Sequence, residues 1–64
     1  MVLNDDKLKL HLANEGMLLK ELCQKSGIAE TTLRKIRQGK CISKPATIGK
    51  IAKALNVRVE DLID

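Results

Sequence analysis

Side chains able to do recognition chemistry are densest between Glu30 and Gln38, where the chain reads ETTLRKIRQ. Leu33 and Ile36, three positions apart, predict the buried stripe of a short helix. With that stripe turned inward, about 100° per residue places Thr31, Arg34, Lys35 and Gln38 on the far side. Glu30 and Arg37 fall at the edges of the same face. None of these side chains is apolar, and together they offer hydrogen-bond donors and acceptors. Such a face is either simply solvated or built to read a polar surface, and its surroundings decide between the two.

Chemistry of other kinds has little to stand on. Cys23 and Cys41 have no companion ligands at metal-binding spacing, and His11 is the only histidine. Cys23 is expected to be a small buried apolar residue and Cys41 a loop residue, in a reducing cytoplasm. His11 falls beside an apolar stripe, which predicts a structural role. With no nucleophile–base pair and no carboxylate pair, no enzyme, cofactor or small-molecule substrate is expected.

The elements that must position the Glu30–Gln38 face surround it in sequence. Leu22 and Cys23 supply the inner face of a preceding helix, spanning about Leu18 to Ser26. Gly27 ends that helix where a left-handed residue is needed, and Ile28 packs inward from the turn. Small Cys23, four residues before Gly27, lets the two helices approach closely. Two helices with this spacing form a helix-turn-helix, whose second helix lies in the DNA major groove.

The rest of the chain reads as further helices. Asn4 caps a first helix running to about Glu15, with Asp5 and Asp6 at the positive end of its dipole and Leu3 stapled to Leu8. Leu8 and Leu12 form its inner face, and Gly16 stops it. The second and third helices lack capping side chains, with Leu18 and Ala29 at the cap positions. That leaves amides available to phosphate oxygens or to water. Gly39 closes the third helix and opens a loop in which Lys40 and Lys44 are placed to meet a DNA backbone. Pro45 starts a fourth helix, with Ile48, Ile51, Ala52 and Leu55 as its stripe. Asn56 ends it, Val57 packs inward, and residues 59–63 predict a last short helix. The fold class expected is therefore all-α: a compact bundle of five short helices forming a single domain over 1–64.

Composition narrows the partner. A chain of 64 residues buries only roughly 60% of its unfolded surface, which leaves no room for a deep pocket beside a core. It has no Phe, Trp or Tyr, and this disfavours single-stranded nucleic acid, which binds by stacking on aromatic rings. No run approaches a membrane span, and no signal peptide is read at the N-terminus. From Lys20 to Lys53 nine basic residues face only Glu21 and Glu30, a surplus of seven positive charges within a formal net charge of +4. A basic middle around the two-helix unit is the electrostatic footprint of a duplex-binding surface.

With these residues in hand, the chain resembles the Cro/repressor (Xre) superfamily of helix-turn-helix proteins. ELCQKSGIAETTLRKIRQGK and PATIGKIAKALNVRVEDLI carry the resemblance, which extends from Asp6 to Asp64. It implies a lambda-repressor-like bundle with the helix-turn-helix at helices two and three. The implied partner is double-stranded operator DNA, bound by a homodimer on a two-fold site, and the implied role is that of a cytoplasmic repressor. Carried over by position, it implies that Glu30, Thr31, Arg34 and Lys35 approach base edges. Thr32, Gln38 and Lys40 would approach phosphates; Lys44 joins them by its place in the loop, and Lys20 supplies the charge, though not the hydrogen-bond geometry, of a glutamine missing at the start of the second helix. Two positions depart from the pattern: Leu19 stands where many relatives carry glutamine, and Ala29 where Ser or Thr usually caps. The alternative on the same fold is an antitoxin or protein-interaction module.

Overall fold

Asn4 opens the first helix as its side chain predicts. In the computed structural model, which describes residues 1–39 and 43–64, Asn4 Oδ1 accepts the Lys7 N–H at 3.1 Å and α1 runs Asp5–Glu15. Leu3 and Leu8, either side of this cap, are both buried in the core. The left-handed Gly16 stops α1, and α2 follows at Leu19–Ser26. Leu18 has no side chain able to cap α2, but Glu21 Oε1 accepts the Leu18 N–H at 3.3 Å. That bond is one half of a capping box, and it partly makes up for the missing Ser or Thr. Gly27 has φ 73°, a conformation that costs an L-residue with a Cβ on the order of 1 kcal/mol and glycine almost nothing.

The turn delivers Ile28 to the core and starts α3 at Glu30–Arg37. α4, Pro45–Leu55, begins with proline in its first turn and ends at Asn56, a left-handed residue with φ 57°. Val57 then leans against the core half-buried, and its N–H reaches back to the Ala52 carbonyl at 3.0 Å. The fifth helix expected over 59–63 is instead a single 3₁₀ turn, Val59–Asp61. The reason is tertiary: Ile63 bridges antiparallel to Leu3, and the Asn4 N–H donates to the Leu62 carbonyl at 2.8 Å. Residues pairing as extended backbone cannot also continue a helix. This pairing ties the two ends of the described chain together and buries Leu62 completely.

α4 is the hub. It packs against α1, α2 and the 3₁₀ turn, while α2 also carries α3. Ile48, Ile51, Ala52 and Leu55 face a core that includes Leu8, Leu22, Leu33, Ile36 and Leu62. Every one of these is aliphatic, so shape rather than polar pairing holds the bundle. No described helix is long and apolar enough to cross a membrane. The positions expected for Lys40 and for Cys41 in the loop before α4 lie outside the described residues.

Candidate nucleic-acid interface

Two buried side chains aim α3. Leu33 and Ile36 both sit in the core, which rotates the opposite side of the helix toward solvent. Thr31, Arg34, Lys35 and Gln38 are exposed there, together with Glu30 and Thr32. Among the described residues, no carboxylate lies within ion-pair distance of Arg34 or Lys35, since the ion pairs involve only Lys9, Arg37 and Arg58. The two cations are therefore free to meet an external acceptor.

Arg37 departs from its expected place at the edge of that face. It is half-buried, and its Nε donates to Asp5 Oδ1 at 2.7 Å. The helix geometry explains the difference. Position 37 lies only about 70° from the centre of the Leu33–Ile36 stripe, on the side that turns toward α1. The Arg37 hydrogen bond holds the Asp5 carboxyl below its ordinary range, with Lys9 adding to the effect and partial burial opposing it. Asp5 also stands 3.4 Å from Lys9 Nζ through its other oxygen. In the sequence Asp5 reads only as a charge at the positive end of the helix dipole. The one local signal of its partner was an arginine immediately following a core isoleucine.

The flanking cations sit at helix starts. Lys20 is exposed in the first turn of α2, and Lys44 is exposed at the cap position of α4. Leu19, at the first position of α2, leans half-buried on the core and so offers no polar contact there. Neither Ala29 nor Lys44 makes a side-chain cap bond, so among the described residues the first N–H groups of α3 have no side-chain acceptor, while Pro45 brings no N–H to the start of α4. Behind this surface Cys23 is buried, and burial pushes its thiol pKa up, with the Glu30 carboxylate adding to the rise. A neutral, enclosed thiol is a packing group rather than a nucleophile. His11 Nε2 lies 3.1 Å from the Asp61 carbonyl and links α1 to the 3₁₀ turn, which fits its expected structural role.

The arrangement is a short cationic helix raised on a glycine turn, with its apolar side locked down and its polar side open. No curated protein and no solved structure matched the chain. Among protein families, residues 7–64 match the Cro/C1-type HTH DNA-binding domain. Its helix-turn-helix is therefore α2 and α3, and the chain belongs to the family of Cro/C1-type HTH DNA-binding domains.

Proposed function

We propose that this DNA-binding regulator is a sequence-specific repressor of phage or mobile-element type, acting in the cytoplasm as a homodimer on a two-fold operator. The observation that supports the reading most directly is the outer face of α3, where Arg34 and Lys35 are exposed and, among the described residues, have no acidic partner. A helix in the major groove reads with such side chains. In this reading Arg34 and Lys35 donate to guanine O6 and N7, Glu30 accepts from cytosine N4, and Thr31 packs on a thymine methyl. Lys20, Thr32, Gln38 and Lys44 set the register on the phosphates, with Lys40 assigned beside them by its place in the sequence. One eight-residue helix spans few base pairs, so a second copy on a symmetric half-site supplies the remaining discrimination. Bound at a promoter, the dimer represses by excluding polymerase.

Selection from random duplexes, repeated with alanine variants, tests these roles. The native chain should enrich a two-fold motif. Arg34→Ala and Lys35→Ala should each cost roughly 1–3 kcal/mol on that motif and relax choice at particular base pairs. Lys44→Ala should weaken all sequences alike and flatten the salt dependence. Identical behaviour of all three variants across random DNA would overturn the division into reading and positioning residues.

A further inference from the structure

Asp5 begins α1, yet its carboxylate is occupied by α3. Oδ1 accepts the Arg37 Nε at 2.7 Å, and Oδ2 faces Lys9 Nζ at 3.4 Å. Among the described residues, this is the only hydrogen bond or ion pair from an α3 side chain to another helix. It matters because α3 packs chiefly on α2, and in its last described turn Arg34 and Lys35 are exposed, leaving Ile36 and Arg37 as the side chains turned toward the protein. α3 and its last turn carry three cations, Arg34, Lys35 and Arg37. Arg37 lies only about 60° around the helix from Arg34. Released, its long side chain would swing to the same edge of the interface and find phosphate. A cation on phosphate binds every sequence alike, whereas base contacts discriminate.

Resting on the reading that α3 enters the groove, we infer that Asp5 is a positioning residue for duplex recognition: it pins the C-terminal end of α3 to α1 and withholds Arg37 from the DNA backbone. The protein therefore meets DNA with two of its three α3 cations, and Asp5 sets that number. Asp6, the next residue, is exposed and makes no hydrogen bond or ion pair among the described residues. It is the natural control for the bare change of charge.

The test is the salt dependence of binding to a random-sequence duplex, measured well below each variant's melting temperature. Asp5→Asn should steepen the slope of log K against log salt by about 0.9, the contribution of one added phosphate contact, and bind roughly eightfold tighter at 0.1 M salt. Asp6→Asn and Arg37→Gln should each keep the native slope, and the double variant Asp5→Asn/Arg37→Gln should return to it. The inference is overturned if Asp6→Asn steepens the slope as much as Asp5→Asn, or if the increase survives the loss of Arg37. The Arg37→Gln arm needs no folded Asp5 variant: if it alone flattens the slope by a unit, the guanidinium was already on DNA. Failure of the native chain to bind any duplex would instead overturn the reading beneath it.

Discussion

Replacing Leu33 with alanine separates the holding of α3 from its reading. Leu33 is fully enclosed, with 0% exposure, in the cluster that joins α3 to the other helices. Deleting three buried carbons costs about 2–5 kcal/mol, through lost transfer free energy and the cavity left behind. A domain of this size has roughly 3–10 kcal/mol in total, so the variant should stand near the edge of folding. A loss of about 3 kcal/mol corresponds to a melting temperature lower by roughly 12–24 °C. Circular dichroism melts, with and without duplex, measure it. Because DNA binds only the folded form, excess duplex should recover much of the lost melting temperature. Arg34→Ala, at an exposed position, should stay within about 0.5 kcal/mol of native stability while losing affinity for the preferred site. A Leu33→Ala protein melting within a few degrees of native would refute the argument, because α3 would then not be held by this contact. Equal destabilisation by Arg34→Ala would refute it from the other side.

Three further outcomes follow from the geometry. Asn4→Ala removes both the cap bond from Lys7 N–H and the Nδ2 bond to Asp64 Oδ1 at 2.6 Å; a loss of about 1 kcal/mol is expected, read as a melting temperature lower by roughly 4–8 °C. The native pKa of Asp5 is depressed below 3.8, so its ionised form is favoured by folding. Its stabilisation is present above that pH and lost as pH falls through the depressed value; the melting gap between native and Asp5→Asn should therefore close in acid, and a gap unchanged at low pH would contradict the pairing. In a Cys41→Ser background, the enclosed Cys23 thiol should react with a thiol reagent only as fast as the domain opens, and faster in urea; reaction in native buffer at the rate of a free thiol would show that it is not enclosed.

Local chemistry made most of the helices legible. Asn4 before two aspartates, glycines at 16 and 27, and Pro45 each act within a few residues, and the helix boundaries follow them closely. The Leu33–Ile36 spacing likewise sufficed to turn α3 the right way. What escaped was decided by distant partners. Residues 59–63 have the composition of a helix, but pairing with Leu3 leaves them only a 3₁₀ turn. Arg37 has the composition of an interface residue, but Asp5, thirty-two positions away, holds it back. Glu21 is a local exception: its value as the acceptor for Leu18 N–H, three residues back, depends on a cap position that carries no oxygen of its own. The roles of individual α3 side chains toward bases depend on a partner's geometry, which no reading of one chain contains.

The central claim is that the outward face of α3 reads a duplex from its major groove. Methylation interference on a selected duplex tests it most directly, because guanine is methylated at N7 in the major groove and adenine at N3 in the minor groove. Guanine methylation at a few positions should block binding, Arg34→Ala should abolish interference at one of them, and adenine N3 methylation should be tolerated. Interference confined to adenine N3, or a guanine pattern untouched by loss of both Arg34 and Lys35, would contradict the account.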